Sequence, residues 1–316
     1  MKKPLIILTG PTAVGKTELS VKLAKAINGE IVSADSIQVY KYMDIGSAKV
    51  TAEEMCGVRH YLIDELLPDE DFNIYFFKEK AKEYVKKITD KGMIPIVAGG
   101  TGFYIQSLLY DVNFTKEEDN REIRKELEEL YAKKGASYMH EMLEKIDIES
   151  ADAIHENNVK RVIRAIEYNM ITGEKISDHN KREAAKESPY NFKYYCLNMN
   201  RSLLYERINK RVDIMVDSGL VEEVKKLINM GYDRRLVSMQ GIGYKEIIAY
   251  LYGETSLEEA IDTIKQETRH FAKRQLTWFR REKNVTMINY EDFDFDKSKI
   301  LEYMVKDISN NLNLKI

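Results

Sequence analysis

Cysteine is nearly absent from this sequence: Cys56 and Cys196 are the only two in 316 residues. They lie far apart, so neither a disulfide framework nor a cysteine-built zinc site is expected, and a reducing compartment fits. His60, His140, His155 and His270 show no metal-binding spacing. No run of apolar residues approaches the length of a membrane span. The opening Met1-Lys2-Lys3-Pro4 leads into an apolar stretch too short for a signal peptide, with no small-residue cleavage site after it. Repeats and low-complexity segments are lacking as well, and a cytoplasmic protein is the expectation. Net charge is also scarce, at -3, which argues against an overall basic RNA binder. A local basic face can outweigh a near-neutral total, because steering depends on where the charges sit. What is present suits a globular chain: 44% hydrophobic and 32% charged residues allow a sizeable core.

Pro4-Leu5-Ile6-Ile7-Leu8 reads as a buried strand. A helical stretch follows with Leu19, Leu23 and Ile27 on one face, stopped by Asn28-Gly29. Residues 30–35, 93–98, 194–198 and 285–288 read as four further strands. Apolar strands separated by helices predict a parallel sheet covered on both faces, with ligands beyond the carboxyl ends of the strands. Between residues 116 and 188 strand signals vanish. Ile123, Leu127, Leu130 and Tyr131, then Val159, Val162, Ile163, Ile166 and Met170, follow helical spacing, with Gly173 as a stop. The expected fold is therefore α/β: a P-loop NTPase-like parallel sheet flanked by helices, with a helical C-terminal region. Residues 1–115 and 189–316 form the core, and 116–188 a helical insertion. Ser256-Leu257-Glu258-Glu259 is a capping box opening a long helix to about Glu282.

Gly10-Pro11-Thr12-Ala13-Val14-Gly15-Lys16-Thr17 matches G-x-x-x-x-G-K-[ST], with a strand before it and a helix after. Backbone N–H groups of such a loop favour phosphates, Lys16 adds a positive charge, and Thr17 can ligate magnesium. The motif names phosphates and leaves the reaction open; a kinase or an NTPase is the plain reading. Three absences count against it. No strand ends in the Asp-Glu pair of an ATPase, no Asn-Lys-x-Asp reads guanine, and no arginine-rich lid follows the third strand. Instead Asp35 ends the second strand, before Ser36 and Gln38. It can ligate magnesium, bind a substrate hydroxyl or act as a general base, or simply cap the next turn. Gly99-Gly100-Thr101-Gly102 allows close approach of a ligand to the backbone and brings the Thr101 hydroxyl toward the same crevice, or is only a strand-to-helix turn.

These segments together resemble the tRNA dimethylallyltransferase (tRNA isopentenyltransferase) family, bacterial type. After the P-loop the resemblance runs through Ser33-Ala34-Asp35-Ser36-Ile37-Gln38-Val39-Tyr40 and Met43-Asp44-Ile45-Gly46-Ser47-Ala48-Lys49. It continues in Val97-Ala98-Gly99-Gly100-Thr101-Gly102-Phe103-Tyr104, Arg161-Val162-Ile163-Arg164-Ala165-Ile166-Glu167 and Thr172-Gly173. Arg211, Met215, Gly219-Leu220 and Glu223-Val224 follow. Gln240-Gly241-Ile242-Gly243-Tyr244-Lys245 and Lys273-Arg274-Gln275-Leu276-Thr277-Trp278-Phe279-Arg280 complete the set. It covers nearly the whole chain, in order. Departures are small. Ser47 stands where threonine is common, Val50 where proline is common, and His155-Glu156-Asn157-Asn158 replaces a proline- and aspartate-containing version, with Asn158 still able to cap the next helix. No zinc-finger extension of the eukaryotic kind is expected.

The resemblance implies transfer of a dimethylallyl group from dimethylallyl diphosphate to the exocyclic amine of the adenine immediately 3′ of the anticodon. Diphosphate leaves. Asp35 would accept the amine proton. The P-loop, Lys16, Mg2+ on Thr17, and Arg211 would stabilise the departing diphosphate, with Thr101 nearby. The adenine has to leave its stem-loop to react, and Asp35, Ser36, Ile37 and Gln38 resemble the segment that reads it. The anticodon stem-loop would be held by Arg124, by the 160–164 run that includes Lys160, and by residues 240–245 and 273–280. The plain alternatives are a solvated helix face for Lys160, Arg161 and Arg164, and an amphipathic helix with its aromatics in the core for 273–280. No membrane and no obligate protein partner is expected. A small-molecule or nucleotide kinase, an adenylate isopentenyltransferase and a non-catalytic P-loop RNA-binding protein are the competing readings.

Overall fold

The structure is a computed structural model and describes residues 2–113 and 121–312. It divides into two compact units, Met1–Leu109 with Pro189–Ile316, and Tyr110–Ser188. The insertion start expected at 115/116 lies outside the described residues.

The larger unit runs β1 (Lys3–Thr9), α1 (Lys16–Ala26), β2 (Gly29–Ala34), α2 (Ala52–Met55), β3 (His60–Tyr61), α3 (Ile74–Asp90), β4 (Ile94–Gly99) and α4 (Gly102–Leu109). The smaller unit follows with α5 (Arg121–Ile146), α6 (Ile148–Ala153), α7 (Val159–Thr172) and α8 (Ile176–Ala184). The chain returns with β5 (Tyr190–Asn198), α9 (Arg201–Asp217), α10 (Leu220–Asn229), α11 (Tyr244–Leu251), α12 (Leu257–Phe279), β6 (Val285–Asn289) and α13 (Lys297–Leu312).

The six strands form one sheet in the order β3-β2-β4-β1-β5-β6. Every neighbouring pair is parallel. This is the P-loop-like α/β arrangement that the apolar strand pattern predicts. Leu5, Ile6, Ile7 and Leu8 of β1 are all fully buried, which a central parallel strand covered on both faces requires. The sheet has one strand more than the sequence suggests. His60–Tyr61 pairs with β2 over two residues, too short to leave a periodic signal.

The Ser256 capping box forms as expected: its hydroxyl accepts from Glu259 N, and the Glu259 carboxylate accepts from Ser256 N. The helix it opens ends at Phe279, short of the expected Glu282. Gly173 closes α7 in the left-handed conformation. Asn158 takes the N-cap position of that helix but makes no side-chain cap hydrogen bond, so the capping expected of it is backbone only.

The smaller unit has its own core of Leu127, Met139, Leu143, Val162, Ile163 and Ile166. A buried carboxylate ties its short helices together. Asp147 accepts from the backbone N–H and hydroxyl of Ser150 (3.1 and 2.7 Å) and from those of Ser177 (3.0 and 2.8 Å). Burial alone would raise its pKa; the four donors outweigh that and hold it below the usual aspartate range. The clasp is therefore complete at neutral pH, and its contribution is lost only as pH falls through that lowered value.

Candidate active site

Three turns meet at the carboxyl edge of the sheet. β1, β4 and β2 are successive neighbours in order, and their C-terminal ends release the P-loop, the turn at Gly100 and Thr101, and the turn at Asp35. Thr9 binds the first two together through its hydroxyl, which donates to Gly99 O at 2.7 Å. Thr101 N donates to Ala34 O at 3.2 Å, which seats Thr101 beside the residue preceding Asp35. The expected convergence of P-loop, Asp35 and Thr101 is thus built by strand pairing, the Thr9 hydroxyl and one backbone hydrogen bond.

Gly15 takes a φ of +103°, a conformation open to glycine, and α1 begins at the next residue with no side-chain cap. The first N–H groups of α1 are left for an anion. Lys16 rests on the loop itself: its Nζ donates to Gly10 O at 2.9 Å and Pro11 O at 2.8 Å. Burial lowers its pKa to about 8, the charge of Arg211 pushes the same way, and Asp35 opposes them. Arg211, on α9, is half-buried and likewise lowered by burial, with Asp35 the main opposing charge. Lys16, Asp35 and Arg211 are therefore one electrostatic group.

The Asp35 carboxylate has two jobs available. Its Oδ1 accepts from Ile37 N at 2.9 Å and Gln38 N at 3.2 Å, the capping role that the sequence left open. Its Oδ2 takes no hydrogen bond among the described residues. Asp35 lines a small cavity with Lys16, Thr17, Ser33, Gln38 and Gly99, and Ile31, Val50 and Ile63 supply an apolar side. His60 lines it too; burial lowers its pKa, so the ring is neutral near pH 7. Thr17 is exposed, and its hydroxyl makes no hydrogen bond among the described residues. Among the described residues, no group of three or more His, Cys, Asp or Glu side chains could hold a metal ion.

The segment after Asp35 is braced from outside. Gln38 Nε2 donates to Ser47 O (3.3 Å) and Ala48 O (3.2 Å). The loop carrying them is gripped by Glu223 of α10. Its carboxylate accepts from Asp44 N (2.9 Å), Ile45 N (2.7 Å), Gly46 N (3.0 Å) and the Tyr244 hydroxyl (2.8 Å). A side chain on Gly46 would run into the Tyr244 ring. The sequence named Glu223 only as part of a resemblance; nothing local marks it as the anchor of this loop.

Several residues expected on an RNA-contacting surface prove to be internal. Tyr244 is fully buried, and Gly241 lies against Ile37. Within 273–280, helical geometry divides the run. Lys273, Arg274, Thr277 and Arg280 are exposed, whereas Phe279 is buried and Leu276 packs against the core beside Ala272. Gln275 is a clamp: its Oε1 accepts from Thr12 N and its Nε2 donates to Gly100 O, each at 2.9 Å. Trp278 packs over Gly102 and edge-on to Phe103. In the smaller unit Val162 and Ile163 are core, and Lys160 and Arg161 are exposed. Arg164 donates to the buried Glu167 at 3.0 Å, and Arg124 stands 4.0 Å from the same oxygen.

The described IPP transferase family matches residues 38–282. The chain is 57% identical over 313 residues to a tRNA dimethylallyltransferase of Lachnoclostridium phytofermentans, covering 99% of this chain and 100% of the relative. It is 53% identical over 311 residues to the enzyme of that description in Clostridioides difficile, covering 97% and 99%. Among solved structures, the tRNA isopentenylpyrophosphate transferase of Bacillus halodurans superposes with a TM-score of 0.74 at 44% identity, covering 100% of this chain and 99% of that one. A eukaryotic dimethylallyltransferase acting on tRNA gives a TM-score of 0.84 at 26% identity, covering 98% and 80%. No helix among the described residues is long and apolar enough to cross a membrane.

Proposed function

We propose, because this chain belongs to the IPP transferase family and is a prenyltransferase enzyme, that it transfers a dimethylallyl group from dimethylallyl diphosphate to the exocyclic amine of the adenine immediately 3′ of a tRNA anticodon. The observation that carries this reading is the meeting of a P-loop cation with a carboxylate whose second oxygen is unengaged, in one cleft. The P-loop N–H groups, Lys16 and Arg211 bind the diphosphate. Ile31, Val50 and Ile63 offer an apolar wall suited to a short hydrocarbon. As the amine nitrogen bonds to the allylic carbon, the C–O bond breaks and diphosphate leaves with the electron pair. The amine proton passes to Asp35 Oδ2. Thr101, seated beside Ala34 by its backbone N–H, is the residue proposed to orient the reacting groups. Magnesium would be held by the Thr17 hydroxyl together with phosphate oxygens, which suits an ion that takes few protein ligands. Bound there, it would neutralise charge on the leaving group.

The test is incubation with labelled dimethylallyl diphosphate, magnesium and an anticodon stem-loop with adenines on the 3′ side of its loop, beside a tube holding AMP. Label in the RNA is expected. Label in AMP alone would make the protein a free-nucleotide isopentenyltransferase, and ATP turnover by a small acceptor would make it a kinase.

The exposed cations Lys273 and Arg274 on α12 and Arg280 at its C-cap, with Lys160 and Arg161 in the smaller unit, are the proposed phosphate contacts. Replacing Arg274 and Arg280 by alanine is expected to weaken stem-loop binding and to flatten its dependence on salt by about 0.7 to 2 in log–log slope. An unchanged slope, measured by filter retention, would remove them from the interface.

Lys16 gives a pH prediction. It must be charged to hold the diphosphate, and its free-state pKa of about 8 is raised by the bound anion. Pyrophosphate affinity is therefore expected to fall once pH passes about 8, with proton uptake on binding. Calorimetry between pH 6.5 and 9.5 measures both. Affinity that stays level across this range, with no proton uptake, would show that Lys16 is already charged throughout.

A further inference from the structure

Arg207 lies one helical turn ahead of Arg211 on α9, so the two guanidinium groups share a face of the helix. Leu204, Ile208 and Val212 on the adjoining stripe are buried, which fixes how α9 is rotated. Arg207 itself is half-buried, and its Nη2 stands 3.7 Å from where a Cβ on Gly15 would lie. It is thus against the turn at which the P-loop enters α1. The Tyr290 hydroxyl, buried and without a hydrogen-bond partner among the described residues, stands at the same turn, 3.0 Å from that Cβ position.

Neither Arg207 nor Arg211 makes a hydrogen bond or ion pair among the described residues, although their chain carries 52 acidic side chains. A partly buried guanidinium left unpaired is costly and is normally neutralised. Here Lys16, Arg207 and Arg211 stand around one loop, with Asp35 as the main nearby carboxylate and Glu54 a weaker one acting on Arg211. The excess of positive charge is larger than a single phosphate monoester needs, and it suits a diphosphate. The two arginines also act on each other, Arg207 being a charge that lowers the pKa of Arg211. A polyanion between them would relieve that repulsion.

We propose that Arg207 is a second guanidinium of the diphosphate site, gripping the leaving group from the Gly15 side of the loop while Arg211 holds it from the Asp35 side. This rests on the reading of the cleft as a prenyl diphosphate site. In the reaction the allylic C–O bond breaks and both electrons stay with the diphosphate. The charge that develops is then shared between two guanidinium groups one turn apart, as well as Lys16 and the loop N–H groups. Arg207 thereby contributes to ground-state binding of the donor and to departure of the product.

The experiment compares Arg207→Met, which keeps most of the apolar stem, and Arg207→Lys, which keeps the charge, with Lys210→Ala as an exposed cation on the same helix. Inorganic pyrophosphate is titrated calorimetrically, transfer to the stem-loop is followed at saturating and limiting dimethylallyl diphosphate, and thermal midpoints are recorded. Arg207→Met is expected to weaken pyrophosphate about tenfold to a hundredfold and to raise the donor KM, with stem-loop affinity and thermal midpoint kept. Arg207→Lys should recover part of the loss, and Lys210→Ala should show none. Arg207→Met with wild-type pyrophosphate affinity would overturn the proposal, whatever its transfer rate. A wild-type protein that neither binds pyrophosphate nor transfers label would overturn the underlying reading and this role with it; wild-type transfer alongside an indifferent Arg207 overturns this role alone.

Discussion

Asp35→Asn is expected to slow transfer by about 10²- to 10⁴-fold while stem-loop binding changes only a few-fold. The size follows from removing the proton acceptor and nothing else. Asparagine keeps an oxygen where Oδ1 now receives the N–H groups of Ile37 and Gln38, so the turn keeps its shape. Its amide cannot accept the amine proton. Asp35→Ala should lose the same chemistry and, with the cap gone, also loosen the 35–38 turn. Single-turnover transfer with prebound RNA separates the two effects, because loosening alone would appear as weaker binding. Full single-turnover activity in the asparagine variant would assign Asp35 to capping and send the search for the proton acceptor elsewhere.

Glu223→Ala should be nearly as damaging from a greater distance. It strips the acceptor from three backbone N–H groups and the Tyr244 hydroxyl at once. The expected loss of stability is about 3 kcal/mol, the scale for orphaned donors to a charged group. The loop at residues 44–48 would then no longer present Ser47 O and Ala48 O to Gln38, so activity should fall even below the melting transition. Glu223→Gln, which keeps one acceptor oxygen, should lie between. Denaturant unfolding and transfer assays on the same samples check this. A stable, fully active alanine variant would mean that water replaces the carboxylate.

Much of this was legible in the residues. Buried strands announce themselves as apolar runs, and the P-loop and Asp35 sit at strand ends, where a pattern and a position coincide. His60–Tyr61 escaped because two residues carry no period. The clamp role of Gln275 escaped for a different reason. A run such as 273–280 reads as one basic and aromatic patch until helical geometry assigns each residue a side, and Gln275, Leu276 and Phe279 then turn inward. Val162 and Ile163 were misplaced in the same way, grouped with cations that are their neighbours in sequence and not in direction. Arg207 could have been found, since it precedes Arg211 by one turn. Glu223 could not, because the backbone N–H groups it holds lie about 180 positions away in the chain.

The Gln275 clamp restricts how this stretch of the chain can change in length. One face of α12 fastens Thr12 to Gly100, while Lys273 and Arg274 on the helix and Arg280 at its C-cap are open to solvent. Inserting or deleting a single residue between 275 and 280 would turn everything beyond it by about 100°. A deletion would carry Arg280 into the inward direction of Phe279, and an insertion would carry Phe279 into the outward direction of Arg280, with Gln275 still anchored behind them. Letters in this segment can be exchanged one at a time on the wet side, but its spacing can be edited only at the expense of both faces together.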